Sequence, residues 1–189
     1  MVDRGRLLVV AATTHELAPA DGWRTLVCGV GPVEAAVATA SEIARDRPAL
    51  VLHVGIAGAR RQLALAPGTL VIGSEARYSD LGVRAEWAPS RVMSAPRLVD
   101  ALQQAIPVAL TLPIGTSARV GGTTDCDIEA MEGFAVLRAA ALAGVSAIEV
   151  RAISNEIEET DRARWHFDVG FAAIQAATPA MVRALLPHL

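Results

Sequence analysis

The chain alternates short apolar segments with longer segments that have the composition or periodicity of helices. Residues 7–12, 49–54 and 145–153 are short, apolar and rich in β-branched side chains, as strands buried on both faces of a parallel sheet usually are. Residues 134–144 are rich in Ala and Leu and end in a glycine, a preferred helix C-cap. The alternation predicts one α/β domain over residues 1–189, with a central, mostly parallel (mixed) sheet flanked by helices.

The remaining segments extend this prediction. Further strands are expected at residues 25–29, 68–75 and 108–112, and further helices at residues 96–106 and 167–186. A helix that begins at Pro32 has an apolar face formed by Val33, Ala36, Val37, Ala40, Ile43 and Ala44. Residues 128–133 are expected to open the helix that ends at residue 144, and Pro179 is expected to kink or split the last helix. Residues 115–127 are predicted to form a loop or an irregular strand, and the charged residues 156–164 a mobile segment.

Composition excludes several functional classes. The 189 residues are 52% apolar, with a net charge of −3 and no basic tract, so nucleic acid is not an expected partner. No uninterrupted apolar run approaches the length of a bilayer span, and the N-terminus lacks the layout of a signal peptide. We therefore expect a cytoplasmic protein with no membrane partner. Cys28 and Cys126 are too few for a disulfide framework and are expected to be reduced thiols.

The basic residues limit the chemistry further. All 17 are Arg, which excludes a Walker-type phosphate loop and a Schiff-base mechanism, because both need a Lys amine. The four His show no metal-binding spacing, so no metal is expected. Gly29 and Gly31 form only half of a dinucleotide fingerprint, and no cofactor is predicted.

Polar or small residues follow several predicted strands, at the edge where open α/β sheets bind ligands. Glu16 belongs to a polar cluster after the first strand. The small residues at 55–58 follow the third strand, and either bring backbone amides close to a ligand oxygen or form a tight turn. Glu132, near a helix start, and Asn155, at a strand end, either meet in one crevice or merely complement a helix dipole and cap a turn.

Four stretches occur together and in order: residues 54–58 (Val-Gly-Ile-Ala-Gly), 75–80 (Glu-Ala-Arg-Tyr-Ser-Asp), 129–133 (Glu-Ala-Met-Glu-Gly) and 151–155 (Arg-Ala-Ile-Ser-Asn). They resemble the nucleoside phosphorylase and nucleosidase superfamily, and the resemblance covers nearly the whole chain. Within that superfamily, the Glu-Ala-Met-Glu-Gly-Phe run, Asn155 and residues 161–165 look like futalosine hydrolases, which are purine nucleosidases of menaquinone biosynthesis. The resemblance implies a fold of the nucleoside phosphorylase type.

The resemblance also implies roles for individual positions. The family's water-activating Glu falls on Glu16, its ribose-holding pair on Met131 and Glu132, and its base-facing acidic residue on Asn155. Nearest relatives pair and complete each other's sugar pocket, which implies a homodimer that binds a small purine nucleoside. Two departures stand out: Thr14 and His15 replace further acidic residues, and the contracted residues 117–127 usually supply part of the base-binding wall.

Backbone amides that could approach a ligand, and aromatic rings that could stack on it, add further residues to the predicted site. Its predicted amide-bearing residues are Gly55, Ile56 and Ala57. Stacking on a planar ligand would depend on the few aromatic side chains available, among them Tyr78, Phe134, Trp165 and Phe167. Of these aromatic residues, Phe134 directly follows the Met-Glu-Gly run, and we include it among the substrate-binding residues.

The chemistry of these residue types favours hydrolysis. An N-glycosidic bond breaks through an oxocarbenium-like state, and a carboxylate such as Glu16 can deprotonate the attacking water. Asn155 carries a donor and an acceptor that match O6 and a protonated N7 of a 6-oxopurine, whereas Asp would suit a 6-aminopurine better. Residues 12–16 contain no Arg to bind phosphate, and Arg60 and Arg61 are the nearby alternatives. The resemblance therefore implies release of hypoxanthine from futalosine; the alternatives are a methylthioadenosine/S-adenosylhomocysteine nucleosidase and a non-catalytic nucleoside-binding protein.

Overall fold

One mixed sheet organises the computed structural model, which describes residues 3–84, 86–123 and 125–189. Its strands are β1 (Leu7–Ala11), β2 (Arg24–Val27), β3 (Leu50–Ala59), β4 (Leu70–Tyr78), β5 (Arg91–Met93), β6 (Leu110–Thr116), β7 (Ile128–Ala130) and β8 (Ser146–Glu156). Their order is β2-β1-β3-β7-β6-β4-β5, and β8 pairs with both β3 and β4. Most pairs are parallel, and the antiparallel ones are β3 with β7, β4 with β5 and β4 with β8.

Four helices cover the two faces of the sheet: α1 (Pro32–Arg45), α2 (Pro96–Ala105), α3 (Gly133–Leu142) and α4 (Phe167–Leu185). Side chains of β1 alternate between the faces, as the period of a strand requires. Leu7 and Val9 pack in the apolar cluster that contains residues of α2 and α4, whereas Leu8 and Val10 pack with residues of α1 and α3. The predicted α/β class, with a mostly parallel, mixed sheet flanked by helices, is confirmed.

Five strands, β3, β8, β4, β6 and β7, pair in a closed circuit, and this circuit corrects two predictions. Residues 55–58 do not form a turn, because β8 runs beside β3 and continues its pairing to Ala59. Residues 128–130 do not open a helix, because β3 and β6 hydrogen-bond to them from both sides and make them a strand. Helix α3 therefore begins only at Gly133. The short edge strand β5 was not predicted.

The predicted apolar face of α1 is only partly buried. Val33 and Val37 are 71% and 61% exposed, whereas Ala35, Thr39 and Ile43 are buried. The helical period is therefore correct, but the buried face is rotated relative to the predicted one, because α1 packs against α3 through its other side. The valine side of α1 remains at the surface.

Helix α4 is continuous through Pro179, so the predicted split is wrong. By length and composition alone, Phe167–His188, with a mean hydropathy of 1.4, is the one helix of the described residues that passes the criteria for a bilayer span. Ile174, Met181 and Leu185 of this helix are fully buried in the core beside the sheet. Burial against a sheet accounts for the apolar composition of α4.

Candidate active site

A cavity of about 250 Å³ lies at the carboxyl ends of β1, β3 and β8, beside the connection from β7 to α3. This is the edge at which open α/β sheets bind ligands. Six of the eight predicted site residues border the cavity: Glu16, Ile56, Ala57, Met131, Glu132 and Asn155. The other two, Gly55 and Phe134, lie behind its wall.

Gly55 and Phe134 have structural reasons for their positions. A Cβ atom on Gly55 would lie 2.2 Å from Nη1 of Arg151 and 2.8 Å from Oε1 of Glu16, so the absence of a side chain leaves room for both groups beside the backbone of β3. Phe134 is buried, its ring packs on Tyr78 with centroids 5.2 Å apart, and its backbone N–H donates to Thr116. Phe134 therefore does not border the cavity, because the first turn of α3 directs it into the core.

Glu16 is fixed by backbone and side-chain donors. It ends a single 3₁₀ turn, Thr14–Glu16, that follows β1. Its Oε2 accepts hydrogen bonds from the backbone N–H of Thr13 at 2.8 Å and from the Thr13 hydroxyl at 3.0 Å. Its Oε1 accepts from the N–H of Ile56 at 3.1 Å, and the residue is only 4% exposed. A carboxylate has about four acceptor positions. One therefore remains for a water molecule or a ligand.

Glu132 directly precedes α3, yet its carboxylate does not cap that helix. Oε1 accepts from the backbone N–H of Gly31 at 3.0 Å, and Oε2 lies 3.5 Å from Nη2 of Arg151. Burial raises the pKa of Glu132 above its ordinary value, and the nearby Arg151 opposes that shift. The side chain therefore borders the cavity and is held by Gly31 and Arg151, which lie outside α3.

Arg151 is a site residue to which the sequence reasoning assigned no role. It is 1% exposed, and its Nε donates to Glu149 at 2.6 Å. Glu16, Glu132 and Glu149 surround this single guanidinium, and burial raises the pKa of Glu149 as well as that of Glu132. The available signal was an Arg and a Glu two residues apart in an apolar strand, since such residues share one face and are rarely buried unless paired.

Asn155 lies at the end of β8, and the oxygen and the nitrogen of its side-chain amide each make one hydrogen bond. Its Oδ1 accepts from the Ser154 hydroxyl at 2.8 Å, and its Nδ2 donates to the Glu156 carbonyl at 2.9 Å. An amide has two donor hydrogens and two acceptor lone pairs. One donor and one acceptor thus remain for a ligand. The absence of a side chain at Gly58 makes room for it, because a Cβ there would lie 2.9 Å from Nδ2.

The contracted residues 117–127 still supply a wall of the cavity, through Val120. Glu129 holds this segment, since its carboxylate accepts from the N–H groups of Gly121 and Thr123 at 2.6 Å each. Arg60 donates to the carbonyl of Thr123 from the other side. The sequence reasoning assigned no role to Glu129, which borders the cavity and is 6% exposed.

Aromatic rings form a row along another side of the cavity. Trp165 and Phe167 have centroids 5.4 Å apart, Phe167 and Phe171 6.1 Å, and Phe171 and His15 5.6 Å. The exposed guanidinium of Arg162 lies over the Trp165 ring at the rim. The aromatic residues that border the cavity are therefore Trp165, Phe167 and Phe171, while Tyr78 packs on Phe134.

Neither cysteine has the properties of a nucleophile. Cys28 and Cys126 are free and buried, and burial raises the pKa of each thiol to about 12. Both therefore remain protonated at neutral pH, and a thiol is a much weaker nucleophile than a thiolate. Among the described residues, no group of three or more His, Cys, Asp or Glu side chains is arranged to hold a metal ion.

Comparison with known sequences gives consistent matches. A family model described as the phosphorylase superfamily matches residues 21–186. A futalosine hydrolase of Streptomyces coelicolor is 31% identical over 92% of this chain and 83% of its own length. A futalosine hydrolase of Thermus thermophilus is 29% identical over 87% of this chain and 81% of its own length.

Comparison with solved structures finds the same fold. A methylthioadenosine/S-adenosylhomocysteine nucleosidase of Colwellia psychrerythraea, solved with adenine, superposes with a TM-score of 0.83 at 20% identity and covers 95% of each chain. A futalosine hydrolase of Helicobacter pylori superposes with a TM-score of 0.81 at 15% identity over 94% of this chain and 97% of its own. Both kinds of nucleosidase share the fold, so the fold alone does not choose between their substrates.

Proposed function

We infer that this chain, which belongs to the phosphorylase superfamily and within it to the futalosine hydrolase family, is a purine nucleosidase that hydrolyses the N-glycosidic bond of futalosine and releases hypoxanthine. One observation carries the proposal. Two buried carboxylates, Glu16 and Glu132, border the same cavity as Asn155, and each is held by different backbone donors. Glycoside cleavage needs separate groups for water, sugar and leaving base, and these residues supply all three.

In this proposal Glu16 is the general base. Its bonds to Thr13 and Ile56 hold the carboxylate still and leave one acceptor position, which orients the attacking water and takes its proton. General-base assistance of this kind contributes roughly 10²–10⁴-fold to the rate. Positive charge develops on the sugar as the bond breaks, and nearby ionised carboxylates stabilise it.

Glu132 is the ribose-binding residue. Its carboxylate accepts from Gly31 and lies beside Arg151, which leaves acceptor capacity for the sugar hydroxyls. Met131 borders the cavity next to it and offers a polarisable apolar surface to the sugar. Holding the sugar in one pose converts binding energy into orientation of the reacting bond.

Asn155 faces the purine. N7 takes a proton from solvent as the bond to N9 breaks, and the unused acceptor and donor of Asn155 then match the N7–H and O6 of hypoxanthine and stabilise the departing base. A 6-aminopurine would place an amino N–H donor opposite the amide donor of Asn155, and neither would have an acceptor. The same residue therefore favours a 6-oxopurine nucleoside.

Hydrolysis is favoured over phosphorolysis because the nearby Arg60 and Arg61 are already paired with protein groups, which occupy the donors that would bind phosphate. Arg60 donates to the Thr123 carbonyl and lies 3.5 Å from Glu158, and Arg61 donates to Glu156 at 2.6 Å. Neither of the two borders the cavity. The carboxylate of Glu16 would moreover repel phosphate from the position of the attacking group.

The test is chromatography of purified protein incubated with futalosine, methylthioadenosine or inosine, each with and without phosphate. We expect hypoxanthine from futalosine at a rate independent of phosphate. Phosphate dependence would indicate a phosphorylase, faster cleavage of methylthioadenosine the other nucleosidase, and binding without purine release the non-catalytic alternative. Glu16→Gln should reduce turnover by roughly 10²–10⁴-fold, while Glu75→Gln, a buried carboxylate that pairs with Arg77 outside the cavity, is the matched control.

We also propose a homodimer that pairs through the exposed valine side of α1. Val30, Val33 and Val37 are 57%, 71% and 61% exposed, and Val30 also borders the cavity. A second copy on this surface would lie at the cavity rim. Burial of the exposed part of each valine contributes about 1–2 kcal/mol.

Light scattering at micromolar concentration tests the dimer. The wild type is expected at twice the 19.7 kDa chain mass. The double substitution Val33→Glu, Val37→Glu should give monomers, whereas Val108→Glu, which alters another exposed valine, should not. A monomeric wild type would contradict the proposal. We propose a cytoplasmic location and a place in menaquinone biosynthesis, in keeping with the two reduced thiols and the inferred substrate.

A further inference from the structure

Three polar side chains lie in the interior of two strands that are otherwise apolar. His53 of β3 and Glu149 of β8 are opposite each other in the parallel pairing, and Arg151 of β8 is opposite Gly55. Residues two apart in a strand point to the same face. All three side chains are 0–1% exposed. The pairing therefore gathers a carboxylate, an imidazole and a guanidinium into one buried group next to Glu16 and Glu132.

The hydrogen bonds give His53 a single tautomer. Its Nδ1 lies 3.0 Å from the carbonyl of Val10, which can only accept, so Nδ1 carries the proton. Its Nε2 is then an acceptor and takes a hydrogen bond from Nη2 of Arg151. Burial, together with the charge of Arg151, lowers the pKa of His53 well below its ordinary value, which keeps the ring neutral.

Glu149 holds the other side of the same guanidinium. Its Oε1 accepts from Nε of Arg151 at 2.6 Å. The carboxylate is itself confined, because a Cβ on Gly133, the first residue of α3, would lie 2.1 Å from its Oε2. It therefore sits against the N-terminus of α3, where the helix dipole favours negative charge. Neither Glu149 nor His53 borders the cavity.

These bonds use two of the three guanidinium nitrogens, Nε and Nη2. Nη1 of Arg151 makes no hydrogen bond within residues 3–84, 86–123 and 125–189, and it lies beside Gly55, behind the wall of the cavity. Nη2 is 3.5 Å from Glu132. Building on the proposed hydrolysis, we propose that His53 and Glu149 are positioning residues that hold Arg151 beside Glu132 and orient its charge towards Glu16. A guanidinium needs such support, since the free side chain has many rotamers and its planar donors act only in one orientation.

The charges around Glu132 predict the direction in which the acid limb of the pH profile shifts when Arg151 is misplaced. Burial raises the pKa of Glu132, Arg151 on β8 lowers it, and Glu16, from the turn after β1, raises it. Glu132 in turn raises the pKa of Glu149, which is also on β8. Cys28, from the connection after β2, is a neutral thiol, and His53 on β3 is a neutral ring. If the guanidinium of Arg151 moves away from Glu132, the pKa of Glu132 rises further. The acid limb of the pH profile then moves to higher pH.

Substitutions at His53 separate positioning from mere packing. His53→Asn keeps a donor towards the carbonyl of Val10 and removes the acceptor for Arg151, because the Asn amide overlaps only the Nδ1 side of the ring. His53→Gln places an amide near Nε2 and can restore that acceptor. At Glu149, the substitution Glu149→Leu removes the acceptor for Nε of Arg151, whereas Glu149→Gln keeps it, because the Gln side-chain oxygen still accepts a hydrogen bond. The Leu and Asn substitutions are the lesion variants, and the two Gln substitutions are the rescue variants. Thr178→Val, a buried hydroxyl change on α4, is the stability control.

The experiment measures kcat and KM for futalosine against pH, and in parallel the pH dependence of binding of 9-deazainosine, whose C-glycosidic bond cannot be hydrolysed. In His53→Asn and Glu149→Leu we expect kcat to fall by about 10- to 100-fold with little change in KM, since a misplacement near 1 Å has that effect. The acid limbs of activity and binding should both move up by roughly one pH unit. The two Gln variants should recover at least half of the decrease in log kcat seen in His53→Asn and Glu149→Leu. The acid limbs of their activity and binding profiles should stay at the wild-type pH.

The two proposals can fail separately. An inactive wild type overturns the inferred hydrolysis, and the binding profiles of 9-deazainosine still judge the positioning of Arg151. If the lesion variants lose thermal stability as Thr178→Val does but keep wild-type kcat and unshifted acid limbs, the residues only pack the core and the positioning inference is wrong. If Glu149→Leu does not fold, His53→Asn alone decides by the same criteria.

Discussion

Gly55→Ala places one methyl group between the two charged side chains on which the site depends. The new Cβ would lie 2.2 Å from Nη1 of Arg151 and 2.8 Å from Oε1 of Glu16, whereas ordinary contacts begin at 3.4 Å. The guanidinium must therefore retreat by about 1.2 Å, and its neighbours resist, because Arg151 is 1% exposed and hydrogen-bonded to Glu149. Gly55 has no left-handed backbone angle, so the effect is steric alone.

The expected magnitudes follow from this displacement. A shift near 1 Å of a positioned group reduces kcat by about 100-fold. Overpacking of a buried site costs about 1–3 kcal/mol of unfolding free energy, which lowers the melting temperature of a chain of this length by roughly 2–12 °C. Hypoxanthine release followed by chromatography gives kcat, and calorimetry gives the melting temperature.

A second glycine separates the two effects. Gly82→Ala forces a residue into a left-handed backbone conformation (φ 65°), yet no atom lies within 4 Å of the new Cβ. It should cost about 1–2 kcal/mol of stability and leave kcat unchanged. If Gly55→Ala keeps kcat within twofold of the wild type, the position of Arg151 beside Gly55 has no part in turnover, and the reasoning from this displacement is refuted.

Four further predictions concern Glu132, Asn155 and the two cysteines. Because its pKa is raised, Glu132 becomes protonated as pH falls through a midpoint above that of an ordinary glutamate, and kcat/KM should fall with it. Glu132→Gln should reduce activity towards the riboside more than towards its 2′-deoxy analogue; equal losses would rule out recognition of the hydroxyls. Asn155→Asp should narrow or reverse the preference for a 6-oxopurine over a 6-aminopurine nucleoside, by about 10- to 100-fold in the ratio of kcat/KM; an unchanged ratio means that base selection lies elsewhere. Iodoacetamide at pH 7.5 should leave activity intact and alkylate Cys28 and Cys126, counted by mass spectrometry, only after denaturation, since both thiols are buried with pKa values of about 12.

The sequence by itself predicts the α/β class and most of the strands and helices. Apolar β-branched segments alternate with helical ones, and both patterns depend on residues close together in the chain, so they are legible without the fold. The positions of Glu16, Glu132 and Asn155 follow from the same information, together with the resemblance of their motifs to a known family. Parallel strands bring such residues to one edge of the sheet wherever the loops run.

The tertiary structure decided whatever depends on partners that are distant in the chain. Residues 128–130 became a strand because β3 and β6 hydrogen-bond to them, and the valine side of α1 stayed exposed because α3 packs against the other side. The role of Arg151 depends on His53, 98 positions away, and on two carboxylates from other segments. A buried charge is stable only with its partners in place, and folding brings those partners together by pairing β3 with β8, which no local pattern in the sequence encodes.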